Sequence, residues 1–243
     1  MISKLELQAI INKYYLGGIV ESVKWVMKDK NLNIRFMSPS KDMLGELKFK
    51  EINLHDVELA IFNTSQLNKL ISITKGTLLL EVNTLNNIST HLAISDSQFD
   101  LVYALADVRL ISKVAKVEEP KSYAVELDLE VEHISALIKA KNALPDIDHM
   151  VISNNINLNG DTILDFIFGN PGDYTNKITY SIPSVINTPL CLPFNCDVFK
   201  EILNANANPE MGRISISSEG LMKLEFKIGN LETVYYMVRK QDN

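Results

Sequence analysis

The chain has 243 residues, of which 46% are hydrophobic and 22% charged, a globular composition long enough for one large domain or two of about half that size. With 24 basic and 30 acidic residues the net charge is -6, which excludes a uniformly basic nucleic-acid coat but not a basic patch on an acidic body. Two cysteines, Cys191 and Cys196, are too few for a disulfide scaffold or a four-cysteine zinc site, and they fit a reducing compartment.

The first helix is predicted from Ser3, where Ser3-Lys4-Leu5-Glu6 has capping-box spacing and Leu7, Ile10, Ile11 and Tyr14 form an apolar face. Strands follow at Ser22 to Lys28, Leu32 to Phe36 and Leu44 to Lys50, with Asp29-Lys30-Asn31 as the first turn. A second helix begins after Asn63-Thr64 and turns Leu67, Leu70 and Ile71 inward. Strands at Leu78 to Val82, Leu92 to Ile94 and Leu101 to Ala106 complete this half. The stretch Val108 to Ser122, with Lys113, Lys116 and Glu118-Glu119-Pro120-Lys121, reads as an exposed linker.

The third helix carries Ile134, Leu137 and Ile138 and ends before Pro145. Asn159-Gly160 signals a two-residue hairpin ahead of strands at Ile163 to Phe168 and Tyr174 to Ile182. Asn195 is a good N-cap for a fourth helix with Phe199, Ile202 and Leu203 on its apolar face. Strands at Arg213 to Ile216, Leu221 to Ile228 and Thr233 to Val238 close the chain. The longest uncharged stretch, Ile178 to Cys196, holds Pro183, Pro189 and Pro193 and is unsuited to a spanning helix. Lys4 and Glu6 follow Met1 too closely for an apolar signal core, so a soluble, cytoplasmic protein is expected.

The halves repeat. Phe62-Asn63 leading to Leu67, Leu70 and Ile71 parallels Phe194-Asn195 leading to Phe199, Ile202 and Leu203; 194 minus 62 gives an offset of 132. Leu92-Ala93-Ile94 and Leu224-Glu225-Phe226 share that offset, as do Val102-Tyr103 and Val234-Tyr235, while Leu7 to Ile11 parallels Ile134 to Ile138. An internal duplication of an α+β unit is predicted, with domains at 1–107 and 123–243 joined by a linker at 108–122.

Catalytic patterns are weak. Asp146, Asp148 and His149 have the side chains for a divalent metal and hydrolysis, but a polar loop after the third helix explains them better, because no second ligand cluster stands at suitable spacing. Cys191 and Cys196 lack a neighbouring base in sequence, and there is no P-loop, G-x-S-x-G or G-x-G-x-x-G; Asn170-Pro171-Gly172-Asp173 is turn chemistry. Arg35, Arg109, Arg213 and Arg239 are the only arginines, so 20 of the 24 basic residues are lysines, which suit non-specific phosphate contact better than base reading. Lys4, Lys13, Lys69, Lys139, Lys141 and Lys200 lie on the four helices away from the apolar faces and could line one shared surface for phosphate, a set diluted by Glu6, Asp197 and Glu201; the resemblance given next makes them the DNA-facing residues.

The duplicated unit, the lysine-bearing helices and the charged linker resemble DNA sliding clamps. The closest stretches are Pro193-Phe194-Asn195 into Phe199-Lys200-Glu201-Ile202-Leu203, Ser217-Ser218-Glu219-Gly220, Leu224-Glu225-Phe226-Lys227-Ile228, and Val234-Tyr235-Tyr236-Met237-Val238-Arg239-Lys240. The last domains of archaeal and eukaryotic ring clamps are similar there, and the size and divergent first half look closer to T4-type bacteriophage clamps. That first half matches by pattern, through the helix at Ser3 and Ile34-Arg35-Phe36-Met37-Ser38-Pro39.

The resemblance implies a clamp fold with helices lining a ring and sheets outside, a homotrimer, no catalytic activity and no cofactor or metal. It implies a processivity factor on duplex DNA, opened by a clamp-loader ATPase and tethering a DNA polymerase, with other replication or transcription factors as further partners. Edge strands would join neighbouring copies through Leu101, Tyr103, Leu105, Tyr174, Ile178 and Tyr180. Partner peptides would dock at positions matching the family pocket: Met37, Met43, Ile111, Val114, Leu221, Tyr236 and Val238. A clamp-like factor that holds DNA by charge alone, without closing a ring, is the alternative.

Overall fold

The computed structural model describes residues 1–86, 88–156, 159–169, 176–185 and 188–240. It divides into two compact units, the first comprising 1–39, 45–115 and 229–233, the second 40–44, 116–228 and 234–243. The boundary near residue 115 falls inside the charged stretch.

The first unit opens with β1 (Ile2–Ser3) and α1 (Lys4–Tyr15). Ser3 Oγ accepts from the Glu6 amide and the Glu6 carboxylate accepts from the Ser3 amide, the reciprocal capping box. Leu7, Ile10, Ile11 and Tyr14 are fully buried, so the helix's stability comes from that face. The helix stops where Leu16 takes the left-handed conformation.

Next come β2 (Val23–Lys28), β3 (Asn31–Met37), β4 (Met43–Lys50) and β5 (Val57–Ile61). Asp29 and Lys30 both have positive φ, so β2 and β3 meet in the tight two-residue turn that suits twisted strands. Then α2 (Thr64–Ser72) is capped by the Asn63 side chain and followed by β6 (Thr77–Leu85), β7 (Ile88–Ser95) and β8 (Asp100–Ala104). The strand orders are β5-β2-β3-β4 and β1-β6-β7-β8. Period-2 alternation sends Trp25, Ile34 and Phe36 inward, and Trp25 meets Tyr14 edge-on, ring centroids 6.5 Å apart.

The second unit contains β9 (Val125–Asp128), α3 (Val131–Ala143), β10 (His149–Ile156), β11 (Thr162–Phe168), β12 (Ile178–Pro183), β13 (Cys191–Asn195), α4 (Cys196–Ala205), β14 (Met211–Ile216), β15 (Leu221–Ile228) and β16 (Leu231–Val238). Its strand orders, β13-β10-β11-β12 and β9-β14-β15-β16, reproduce those of the first unit step for step. Asn63 and Asn195, 132 residues apart, both cap helices. The α+β duplication is therefore present in the topology itself.

One local expectation changes. Asn159-Gly160 is not a two-residue hairpin, because Ile156 pairs with Thr162 and five residues intervene; Gly160 has positive φ. The segment Cys191–Asn195 is a strand despite Pro193, which is tolerated because β13 is an edge strand. The Asn170 to Asp173 turn and the N-terminal end of the strand expected from Tyr174 lie outside the described residues. No described helix is long and apolar enough to cross a membrane.

Candidate functional site

The helix lysines separate into two kinds. Lys69 and Lys139 are exposed, and Lys200 is half-buried in an ion pair with Glu201 at 3.0 Å. Lys4 is half-exposed, but its ammonium donates to the Ser72 and Thr74 carbonyls, each at 2.7 Å, neutralising the C-terminal end of α2. Lys13 and Lys141 contradict the expectation that they face solvent: their residues are only 3% and 2% exposed. Burial pulls the Lys13 ammonium down to about 8. Lys141 donates to the Pro145 carbonyl at 2.8 Å and pairs with Asp197 in the first turn of α4 at 3.0 Å, so it binds α3 to α4. Its spacing, seven after Ile134 and four after Leu137, puts it on the apolar face and was the signal for this role.

With Asp197 compensated by Lys141 and Glu201 by Lys200, the charges left on the helices nearly balance: Lys4, Lys69 and Lys139 against Glu6 and Glu132. Such helices attract phosphate only weakly.

β8 and β12 each end a sheet, paired on one side only, with β7 and β11 respectively. On β8 the phase differs from the expected one. Tyr103 points inward, 4% exposed; its hydroxyl accepts from the Asn63 amide at 3.0 Å and donates to the Asn63 carbonyl at 3.1 Å, fixing the start of α2. Val102 is the outward residue, 60% exposed, beside exposed Phe62 and half-buried Leu70 in a cleft of about 430 Å³. Leu101, Leu105, Ile178 and Tyr180 are half-buried, Tyr180 packing edge-on to His133 at 6.4 Å. Tyr174 lies outside the described residues.

A second cleft, about 650 Å³, is carved in the second unit by Glu118, Glu119, Pro120, Ser217, Glu219, Gly220, Leu221, Val238 and Arg239. Of the expected anchors it contains Leu221 and Val238; Met37, Ile111 and Val114 are half-buried outside its lining, and Met43 is buried. Gly220 has φ +97, and an added Cβ would stand 2.6 Å from the Arg239 stem, so the backbone must be bare for that stem to lie over it. Tyr236 is not a free anchor: buried, it donates to the Glu119 carboxylate at 2.7 Å. Glu119 also accepts from Tyr123 and Lys223, each at 3.2 Å, which ties the charged stretch to β15 and β16.

Burial raises the Glu119 carboxyl, but donation from Tyr236 and Lys223, the Lys223 charge and Tyr123 outweigh it and leave it below the ordinary 4.5. A carboxyl depressed in the folded state holds its full stabilisation above that ordinary value and loses it as pH falls through the lowered folded value. An acid titration followed by the ¹³C shift of the Glu119 carboxyl carbon should give a midpoint below 4.5, raised in Tyr236→Phe. A midpoint at or above 4.5 in the unaltered chain would remove the anchor from the account.

The Asp146, Asp148 and His149 group does not converge. Lys240 donates to Asp148 at 2.6 Å and His149 Nδ1 lies 2.9 Å from it, and these partners hold its carboxyl down at about 2. Among the described residues no group of three His, Cys, Asp or Glu side chains is placed to hold a metal. Cys196 is buried against the Ile147 carbonyl, and burial pushes its thiol up to about 11, unsuited to a nucleophile.

No family model and no curated protein matches the chain. Solved structures do. The proliferating cellular nuclear antigen from Entamoeba histolytica superposes with a TM-score of 0.76 at 15% identity, over 98% of this chain and 96% of that one. The A. fulgidus PCNA, solved with the C-terminal region of FEN-1 bound, superposes with a TM-score of 0.77 at 12% identity, over 100% and 98%. The chain has the DNA-clamp fold. The match covers 96% or more of every chain compared, so both units of this chain take part in it.

Proposed function

We propose that the protein is a DNA sliding clamp, a homotrimeric ring around duplex DNA that tethers a replicative polymerase and is opened by an ATP-dependent loader. It is a scaffold without catalysis, acting in the cytoplasm, and its kinship is closest to the clamps of T4-type bacteriophages. The observation that carries this reading is the full-length clamp fold built from two units of one topology, each with an edge strand, β8 or β12, paired on one side only. A head-to-tail contact between two such edges closes a ring when each copy turns by a third of a revolution.

The charge balance of the helix faces favours the ring over holding by charge alone. Each phosphate neutralised contributes about 0.9 to the log–log salt slope, and a factor without a ring needs several uncompensated cations to stay bound. Enclosure needs none, and a balanced lining lets the ring slide. Partner tails fit the cleft beside Pro120, Leu221 and Val238, where apolar side chains meet a linker pinned in place. Sedimentation equilibrium should give three copies of the 27.3 kDa chain, about 82 kDa, at high concentration. A monomer persisting at millimolar concentration would overturn the ring.

A further inference from the structure

We propose that Asn195 is a positioning residue that joins the N-terminus of α4 to the wall of the cleft through Asp42. Its side chain divides its work between two ends. The oxygen accepts from the Asp197 and Val198 amides at 3.1 and 3.2 Å and so caps α4. The amide nitrogen donates to Asp42 Oδ2 at 2.9 Å, across 153 residues of sequence.

Asp42 is held from three directions. Its other carboxylate oxygen accepts from Ser40 Oγ, and its carbonyl accepts from the Val238 amide at 3.0 Å. Val238 lines the cleft. One side chain therefore orients both the first turn of α4 and the 40–44 segment that fixes the backbone of a cleft residue. The bond to Asp42 is charge-assisted, which makes it one of the stronger links available to a neutral side chain. Linkage requires the effect to run both ways: loosening the loop loosens the cap, and the reverse. Its functional consequence rests on the cleft being the partner site, because only then does the state of a helix end alter partner binding.

Two substitutions separate the roles. Asn195→Asp keeps a good N-cap but sets a carboxylate against the Asp42 carboxylate, and Asn195→Ser keeps a cap without an amide to donate. By hydrogen exchange on the whole protein, the Val238 amide should exchange at least tenfold faster in both, with the thermal midpoint little changed. The double variant Asn195→Asp/Asp42→Asn, in which amide and carboxylate trade places, should return Val238 to within about threefold of the original rate. Asp42→Ala should speed exchange at Asp197 and Val198. Unchanged Val238 protection in both single variants, or failure of the swap to restore it, would overturn the coupling. A peptide of the FEN-1 C-terminal region serves as a binding probe in a separate arm. If it binds the original chain, it should bind Asn195→Asp more weakly and the swapped pair normally; if it does not bind the original chain, that counts against the partner reading, while the exchange rates still decide the coupling.

Discussion

Val102→Glu is expected to abolish the proposed trimer while leaving each copy folded. The side chain is 60% exposed on β8, so within one copy the change is a surface substitution worth about 0.5 kcal/mol or less. In the proposed ring the same position lies in the contact between copies, with Phe62 and Leu70 nearby. A carboxylate taken out of water there costs several kcal/mol, so a penalty of about 3 kcal/mol weakens association at least a hundredfold. Light scattering should show the proposed trimer for the original chain and monomer for the variant at the same concentration, with an unchanged thermal midpoint. Trimer persisting in Val102→Glu would show that β8 is not the joining edge.

The second large effect is on stability. Trp25 is fully buried between α1 and the β5-β2-β3-β4 sheet, against Tyr14, whose ring also packs on Phe36 at 6.3 Å. Trp25→Ala removes the largest side chain of that cluster and should cost about 3–5 kcal/mol, a large share of a marginal total. The same cluster is equally intolerant of additions. A Cβ at Gly45 would lie 2.1 Å from the Phe36 ring, so Gly45→Ala should cost about 1–3 kcal/mol by overpacking. Chemical denaturation of both variants checks this; a loss below about 1 kcal/mol for Trp25→Ala would mean that the site repacks around the gap.

What could be read in advance follows from the range of the signal. Helix faces and caps are local: Ser3, Asn63 and Asn195 announce their helices within four residues, and Leu7, Ile10, Ile11 and Tyr14 mark a face by spacing alone. The offset of 132 was legible because both repeats keep the Asn cap and the apolar run after it. Non-local decisions were not legible. An edge strand alternates in either phase, and the phase that buries Tyr103 and exposes Val102 is chosen by a hydrogen bond to Asn63, forty residues away. Lys141 was readable from its heptad position, but a lysine suggests solvent unless its partners are known, and those lie at Pro145 and Asp197. Tyr236 and Glu119, 117 residues apart, and Asn195 and Asp42, 153 apart, meet only after the sheets form, so a cleft that depends on both pairs leaves little trace in sequence.

The most direct test of enclosure is to thread the protein onto linear duplex DNA at high concentration, ligate the ends into a closed circle, wash in high salt, and then cut the circle once. Protein retained on the closed circle and lost within the sliding time after the cut is the predicted result. Dissociation at the same rate before and after the cut would contradict it.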